Sequence, residues 1–324
     1  MAEYLIQDST LAGIANAIRE KNGSADFYTP AQMASAIAEL NGGGSEEEWI
    51  GDGNTHIWIH LEEGRTSPML GVCPKGTVTV DWGDGTTPDV LTGTSTSTVK
   101  WTPTHNYAAA GDYVVTLIVS GTMGFCGEIA AGSYLLRYSE AQDNRNYAYL
   151  NSAKKIEVGG GVQELGNHAF NRLTNLMSIY IPSGVRSTSL CVFYYCYSLP
   201  SVQFPDGVTN IAGSAFYNCY SLSSVQIPDS VTGIGGNAFT GCQSLSSLRI
   251  PEGVSVINAA MLSNCFSLGK IRFEATNPPT VTYSGEFKNV PTDCVISVPV
   301  GTLAAYTSAT NYPDPATYTY IEEA

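Results

Sequence analysis

The chain has 324 residues and carries 29 acidic against 15 basic side chains, which gives a net charge of −14 at pH 7. With so few Lys and Arg residues, no electrostatic footprint for nucleic acid and no basic patch for anionic lipid is predicted. No apolar run approaches the roughly 18 residues of a membrane span, so membrane insertion is not predicted either. The charged fraction of 14% and the many Gly, Ser, Thr and Tyr residues are typical of β-rich extracellular proteins, and the length predicts two or three domains.

A helical docking hairpin is predicted over residues 1–41. Thr10 can cap a first helix that begins with Leu11, and Thr29-Pro30 can begin a second one. Because two short helices have too little apolar surface to fold alone, the hairpin is expected to dock onto other copies of this chain or onto a larger assembly. The pattern T-L-x-x-I-A-x-A-I-R-x-K-x-G, followed by Y-T-P-A-x-M-A-x-A-I, resembles short N-terminal modules of tail-associated proteins of phages and prophages. Residues 42–48 are predicted to be a flexible linker.

Strand patterns replace helical ones from residue 49 onward. The segments Thr77-Val-Thr-Val-Asp-Trp-Gly-Asp-Gly-Thr and His105-Asn-Tyr-Ala-Ala-Ala-Gly-Asp-Tyr-Val-Val-Thr-Leu-Ile-Val resemble a PKD-like β-sandwich of the immunoglobulin type, which would span residues 49–122. The W-G-D-G sequence is expected to form the tight turn after one strand. Asp81 and Asp84 in that turn are either ordinary turn residues or carboxylate ligands of a calcium ion.

Residues 123–153 are predicted to form a junction and N-terminal cap for the segment that follows. Four tyrosines and two arginines in this stretch belong either to a capping strand and loop or to a binding loop. Cys73 and Cys126 are candidates for a disulfide, which the sequence alone does not establish.

From residue 154 the chain repeats itself every 23 residues. Cysteines, leucines, phenylalanines and the residue before a proline all keep this step. The aligned positions are Cys196, Cys219, Cys242 and Cys265; Leu199, Leu222, Leu245 and Leu268; Phe170, Phe193, Phe216 and Phe239; and Ile181, Phe204, Ile227 and Ile250. A fixed period in the twenties predicts a solenoid, in which each coil buries its apolar face against its neighbours. Solenoids usually present extended surfaces rather than closed pockets.

The repeated signature, approximately A-F-x-x-C-x-x-L-x-x-I-x-I-P, resembles the leucine-rich repeats of the BspA-like family. The resemblance implies a mainly β fold: a leucine-rich repeat solenoid with a C-terminal cap over residues 154–324, preceded by the sandwich and the hairpin. Two coils depart from the signature, because Leu173 stands where cysteine would fall and Met261-Leu262 replaces Ala-Phe. The segment that begins at Cys294 looks like the terminal strand and short helix that close such arrays.

The cysteine ladder is predicted to consist of structural thiols. Zinc ligands come as close pairs such as C-x-x-C, which the chain lacks. Equivalent thiols on successive coils point the same way, which suits disulfide torsions poorly. Free cysteine behaves as a small and readily buried apolar side chain.

Catalytic chemistry is not predicted. The four histidines form no H-E-x-x-H or similar ligand pair, and neither a G-x-S-x-G elbow, a P-loop nor a Rossmann fingerprint occurs. His56 and His60 have the same strand parity but would lie about 13 Å apart, which is too far to chelate one metal. We therefore predict a non-enzymatic protein without catalytic residues, metal or cofactor.

Binding chemistry is better represented. Each predicted repeat strand has one outward position between its inward residues, and a second aromatic set follows the corners of the coils. The candidate ligand-binding residues are Tyr180, Gln203, Gln226, Arg249 and Arg272 on the strands and Tyr194, Tyr197, Tyr217 and Tyr220 at the corners. Tyrosine with serine, glycine and asparagine is typical of adaptable recognition surfaces. Tyrosine ladders that merely stabilise neighbouring coils are the alternative.

The first residues, Met1 to Asp8, show neither the positive nor the apolar region of a signal peptide, so none is expected. Together with the resemblance of the N-terminal module, this favours a phage or prophage tail-associated receptor-binding protein located in the virion. Its expected partners are a host surface protein or glycan and, through residues 1–41, other virion components or copies of itself. The alternatives are a bacterial cell-surface adhesin and a structural spacer without a specific ligand.

Overall fold

A computed structural model of the chain describes residues 49–95, 100–125, 136–138, 153–282 and 285–323. The chain divides into two compact units, Met1–Gly51 and Asp52–Ala324, and every strand given below lies in the second. The predicted helical hairpin and linker, residues 1–48, fall outside the described residues, as does most of the predicted junction.

The N-terminal part of the second unit is an antiparallel sheet. Its strands are β1 (Thr55–Leu61), β2 (Pro68–Asp81), β3 (Asp89–Thr94), β4 (Lys100–Trp101), β5 (Gly111–Phe125) and β6 (Leu136–Tyr138). The order along the main path is β3-β2-β5-β1, while β4 and β6 also pair with β2. Apolar side chains that alternate along β1, β2 and β5, such as Ile57, Val80 and Leu117, are fully buried, so the expected alternation of strand faces holds here.

The predicted W-G-D-G turn is present between β2 and β3. Asp81 accepts a hydrogen bond from the amide of Gly83 (2.9 Å), and Asp84 accepts one from the amide of Thr86 (3.1 Å). Both glycines of the turn have positive φ, 74° for Gly83 and 79° for the next one, which is the left-handed conformation that glycine adopts without strain. The two carboxylates therefore act as turn residues. The likeness of this sheet to a PKD-like sandwich stays a prediction.

The second part is a series of coils with two rows of short strands and a small helix. The strands are β7 (Ala153–Glu157), β8 (Val162–Leu165), β9 (Ser178–Tyr180), β10 (Ser201–Gln203), β11 (Asn210–Ile211), β12 (Ser224–Gln226), β13 (Gly233–Ile234), β14 (Ser247–Ile250), β15 (Val256–Ile257), β16 (Lys270–Phe273), β17 (Thr280–Val281), β18 (Val295–Pro299) and β19 (Thr319–Glu323). The helix, α1, spans Leu303–Thr307.

Equivalent residues of successive coils pair in register. Strand β10 pairs with β12 in parallel, with Gln203 opposite Gln226, and β14 pairs with β16, with Arg249 opposite Arg272. On the other row of strands Ile211 pairs with Ile234. Each of these partners is one 23-residue period away, which confirms the predicted solenoid.

The interior of the coils is built from stacked identical side chains. The ring centroids of Phe170, Phe193, Phe216 and Phe239 follow one another at 5.5, 5.3 and 5.4 Å. The leucines at the predicted positions are fully buried as well. The four ladder cysteines are buried free thiols, and each donates a hydrogen bond to a phenylalanine carbonyl oxygen at 3.0–3.2 Å. Burial raises the pKa of all four thiols, so they remain protonated donors.

Two positions in each coil adopt a left-handed backbone, and almost none of them is glycine. Their φ values lie between 55° and 76°, at His168, Cys191, Ser214, Asn237 and Ala260 and, four residues later, at Arg172, Tyr195, Asn218, Gly241 and Asn264. Such a conformation costs a non-glycine residue about 1 kcal/mol or more. Hydrogen bonds between coils offset this cost, as where Asn218 donates its amide to the Thr240 carbonyl at 2.7 Å.

The coils continue directly from the N-terminal sheet. Strand β7 pairs antiparallel with β1 and parallel with β9, while β8 pairs parallel with β5. Both rows of coil strands are therefore hydrogen-bonded to the N-terminal sheet within one hydrophobic core. The predicted junction, residues 123–153, overlaps the end of β5 at Phe125 and the start of β7 at Ala153, and most of it lies outside the described residues. The predicted domain boundaries at residues 122 and 153 stay predictions.

The C-terminal end has the predicted strand and short helix, β18 and α1, and one further strand that the sequence analysis did not identify. Strand β19 pairs in parallel with β18 and ends the sheet β14-β16-β18-β19. At this end the carboxylate of Glu286 accepts a hydrogen bond from the amide of Met261 at 2.8 Å. Burial raises the pKa of Glu286.

Candidate functional site

The predicted strand residues lie in one row on one face of the coils. We call Tyr180, Gln203, Gln226, Arg249 and Arg272 the outer row. Beside it runs a second row of small polar residues that ends in a lysine: Ser178, Ser201, Ser224, Ser247 and Lys270. Side chains between the two rows point into the core, as Val202 and Leu248 do, so the face is a solid wall rather than a cleft.

The register of the outer row continues beyond the coils, which the sequence analysis did not anticipate. Tyr180 lies opposite Glu157, Glu157 opposite His56, and His56 opposite Thr116. The character of the row changes there, because Glu157 and His56 are only 4% and 3% exposed whereas Tyr180 is 44% exposed. The exposed part of the row therefore begins at Tyr180.

At the buried end, His56 bridges two partners. Its Nε2 lies 2.9 Å from an Asp52 carboxylate oxygen and its Nδ1 lies 3.1 Å from the Thr116 hydroxyl. Hydrogen bonds from His56 and from the amide of Asn54 lower the pKa of Asp52 to about 2. Thr116, His56 and Asp52 follow one another as hydroxyl, imidazole and carboxylate, as in a catalytic triad. Because the imidazole of His56 is almost fully buried, we interpret these hydrogen bonds as stabilising the sheet.

In the C-terminal part of the outer row, Arg249 is held by ion pairs within the chain. Its Nε donates to Glu274 at 2.7 Å, its Nη1 donates to the carbonyl of Ile227 at 3.0 Å, and its Nη2 contacts the carboxylates of both Glu274 and Asp229. These carboxylates, Glu274 foremost, raise the pKa of the guanidinium. Arg249 is thus engaged in holding neighbouring coils together.

The charges of the last coils form a similar network. Lys270 binds the carboxylate of Glu323 at 2.7 and 2.8 Å, while Arg272 lies 3.5 Å from Glu274 and 3.8 Å from Glu323. The hydrogen bond from Lys270 is the main reason that the pKa of Glu323 is lowered. The network joins β16 to the last strand, β19, so the basic residues of both rows have acidic partners inside the protein.

The predicted corner tyrosines form a continuous aromatic cluster on two neighbouring coils. Tyr194 stacks on Tyr217 and Tyr197 stacks on Tyr220, each pair with ring centroids 4.9 Å apart. Tyr195, which the sequence analysis did not single out, contacts three of these rings at 4.2 to 5.9 Å. We call these five tyrosines the aromatic patch.

The aromatic patch is partly exposed and uncharged. Tyr197 and Tyr220 are 37% and 38% exposed, and the guanidinium of Arg172 lies 4.8 Å from the centre of the Tyr195 ring. Burial raises the pKa of Tyr194 and Tyr197, so their phenols stay neutral and retain a donor proton. The stacked rings stabilise the coils and at the same time present hydroxyl groups and ring edges to solvent, so both predicted roles are compatible with this geometry.

Within the described part of the chain, no group of three or more His, Cys, Asp or Glu side chains is arranged to hold a metal ion. The Asp84 carboxylate, a candidate calcium ligand, instead lies 2.9 Å from Nε2 of His105, and that imidazole stacks on Trp82 at 4.6 Å. Cys73 is disulfide-bonded, whereas the other candidate, Cys126, lies outside the described residues. Among the described helices, none has the length and apolar character needed to cross a membrane.

The strand pairing and the stacked interior define a solenoid of short repeats. Residues 163–290 match the family model described as BspA type Leucine rich repeat region, in six copies. Over these residues the repeats are similar to the BspA type, as their signature predicts. No curated protein matches the chain in sequence.

Solved structures of bacterial repeat proteins are similar to the chain. A leucine-rich repeat protein of T. pallidum is 24% identical, with 52% of this chain and 85% of that one covered and a TM-score of 0.38. The pneumococcal vaccine antigen PcpA is 19% identical over 60% of this chain and 45% of its own, with a TM-score of 0.45. A leucine-rich cell surface protein of Faecalibacterium prausnitzii is 19% identical over 50% and 64%, with a TM-score of 0.27. The chain spans less than half the length of PcpA.

Proposed function

We propose that this chain is a non-enzymatic recognition and adhesion protein that binds a ligand on a cell surface through the outer face of its coils. The observation that carries the proposal is the outer row, in which exposed polar and aromatic side chains repeat in register along a solid wall. A wall of this kind offers many equivalent contacts and no enclosed space for a reaction. The aromatic patch adds tyrosines, which supply contact area at a low cost in conformational entropy.

We place a bacterial cell-surface adhesin ahead of a tail-associated protein. The repeats that would bind are described and match a repeat family, whereas the tail interpretation depends on residues 1–41, which lie outside the described residues. In either setting, several identical copies displayed together would convert weak single contacts into firm attachment. Residues 1–41 would hold the copies to each other or to a larger particle.

Localisation separates the two settings. Antibodies raised against the whole chain should label intact, unlysed producing cells if the protein is a surface adhesin. Label that is found only on phage particles released by lysis would establish the tail interpretation instead. Label confined to the interior of producing cells would refute both.

Binding by the whole chain tests recognition itself. The fluorescent protein should attach saturably to at least one member of a panel of intact bacterial and mammalian cells. Replacement of both Tyr197 and Tyr220 by Ala should weaken attachment, while Phe266→Ala, another exposed aromatic change at 52% exposure, serves as the matched control. A protein that attaches to no cell of the panel would have to be regarded as a structural spacer.

A further inference from the structure

The face of the coils that carries the outer row and the row beside it has three stretches with different electrostatic character. The N-terminal stretch, at His56 and Glu157, is buried. The C-terminal stretch, from Arg249 onward, is neutralised by ion pairs. Between them lies a stretch with no ionisable acid or base in either row. This neutral segment comprises Tyr180, Gln203 and Gln226 with Ser178, Ser201 and Ser224.

Four polar side chains of the neutral segment are available to a ligand. Gln203, Gln226, Ser201 and Ser224 are all exposed. Within the described part of the chain, their amide and hydroxyl groups make no side-chain hydrogen bond, in contrast to Arg249 one coil further on. An amide and a hydroxyl each donate and accept, so the segment offers both functions without a fixed charge.

The spacing of these groups favours a ligand with repeating units. Gln203 pairs in register with Gln226, and Ser201 with Ser224. Neighbouring strands lie about 4.8 Å apart, so the same pair of polar groups occurs twice at this interval, on β10 and on β12. A polymer of identical units can meet each recurrence with the same chemical group, which a peptide of varied sequence cannot do. Extended peptides bind to sheets mainly through strand edges, and here those edges are used between coils.

The net charge of the chain disfavours an acidic ligand. The chain carries a net charge of −14, and Asp206, just beyond β10, is exposed. A polyanion would be repelled by this field, and its charges would find no basic partner in the neutral segment. Hydroxyl groups suit the segment, since they both donate to and accept from amides and can donate to a carboxylate. The ring of Tyr180 can pack against the apolar face of a sugar.

From these observations we infer that the neutral segment is a binding site for an uncharged polysaccharide, laid across strands β9, β10 and β12. This inference rests on the proposed function and narrows it, because it names both the part of the wall that binds and the chemical class of the ligand. The ion-paired stretch then has a different task, which is to hold the last coils together.

The direct test measures binding of the whole chain to neutral polymers (a glucan, a mannan and a galactan) and to acidic ones (polygalacturonate and heparin). At least one neutral polymer should bind and the acidic ones should not. The double variant Gln203→Ala/Gln226→Ala should weaken that binding by roughly ten-fold, because two hydrogen bonds are lost. The matched control is Gln163→Ala/Gln243→Ala, which removes two exposed amides elsewhere on the coils and should bind like the parent.

Two results would overturn the inference: binding of acidic polymers only, or equal binding by the double variant and its control. Circular dichroism of both variants shows that loss of binding does not come from unfolding. Treated cells distinguish failure of this inference from failure of the proposed function. Attachment to intact cells that survives periodate but not protease would refute a polysaccharide ligand and leave the recognition function standing. Attachment to neither polymers nor cells would overturn both.

Discussion

The coils and the N-terminal sheet use the same backbone groups in opposite ways. In the coils, parallel strands bring each residue beside its equivalent one period away, as with Val202 and Val225. In the N-terminal sheet, antiparallel strands bring together unrelated residues, as with Thr55 and Leu117. Repetition in sequence therefore becomes rows of like side chains in the coils, whereas the N-terminal sheet is a mosaic.

The difference extends to the interior of each region. The coils stack Phe193, Phe216 and Phe239 with interplanar angles of 17° and 5°. The N-terminal sheet joins unlike rings, where His105 stacks on Trp82 and meets Tyr107 edge to face. Contacts between coils join residues about one period apart, whereas the pairs of β1 with β5 join residues 50 to 62 positions apart, which costs more loop-closure entropy. The contrast suggests that the coils hold their register locally and the sheet does so only through its partners.

The largest effect is expected from a break in the phenylalanine stack. Phe216→Ala leaves a cavity between two fully buried rings, so the free energy of unfolding should fall by about 3–5 kcal/mol. Urea unfolding followed by circular dichroism measures this loss. Phe266→Ala, on the surface at 52% exposure, is the control and should change stability by about 0.5 kcal/mol or less. Equal losses in both variants would show that the stack contributes no more than surface contacts do.

The next effect concerns the place where the two regions join. A Cβ added at Gly159 would collide with the backbone of Asn54. The amide of Gly159 also donates a hydrogen bond to the Thr55 hydroxyl at 2.9 Å. Gly159→Ala should therefore cost about 1–3 kcal/mol and speed amide hydrogen exchange in β1 and β7. Gly160→Ala is the matched control, because nothing lies within 4 Å of its Cβ position. Faster exchange confined to the distant coils would contradict a local role at the junction.

A smaller effect is expected from the ion pairs of the outer row. Arg249 and Glu274 are partly exposed, 36% and 24% for their side chains, so solvent screens their attraction. A double-mutant cycle with Arg249→Ala and Glu274→Ala should give a coupling energy of about 0.2–1 kcal/mol that declines in high salt. A cycle on the exposed pair Arg65 and Glu62 provides the comparison. Coupling that does not respond to salt would mean that the residues interact through packing instead.

The smallest effect is a pH dependence in the N-terminal sheet. The pKa of Asp52 is about 2 in the folded protein, below its ordinary value of 3.8, since His56 and Asn54 donate to the carboxylate. A lowered pKa adds stability above the ordinary value, and this contribution is lost as the pH falls from about 4 towards 2. The stability difference between the parent and Asp52→Asn, followed by urea unfolding at several pH values, should shrink over that range. A difference independent of pH would rule out this carboxylate as the source.

Much of the coil architecture was predictable from sequence, because periodicity reports directly on stacking. The inward positions Leu222 and Ile227, the buried thiols and the terminal strand with its short helix are all present. The left-handed corners were not predictable, since residues such as Tyr195 and His168 occupy them instead of glycine. Hydrogen bonds from the adjacent coil offset the cost of these conformations, and the sequence of a single coil does not show those hydrogen bonds.

The positions of the candidate site residues on the strands were predictable from sequence, but their ion-pair partners and their burial were not. Alternation along each strand identified Arg249 as outward, yet nothing in the sequence indicated that Glu274 and Asp229 would occupy its guanidinium. Likewise the strand parity of His56 did not reveal that it is almost fully buried. A residue's row follows from local periodicity, whereas its partners come from turns and strands that lie elsewhere in the chain.

For this protein the sequence by itself determined the period, the inward face and the rows of the coils, because identical residues at a constant step can satisfy one another only by stacking in register. Only the tertiary structure decided that the N-terminal sheet runs into both rows of coil strands and that β19 closes the far end. It also decided which outward side chains are left without ionic partners. These features depend on contacts between segments distant in sequence, where no repeat constrains which residues meet.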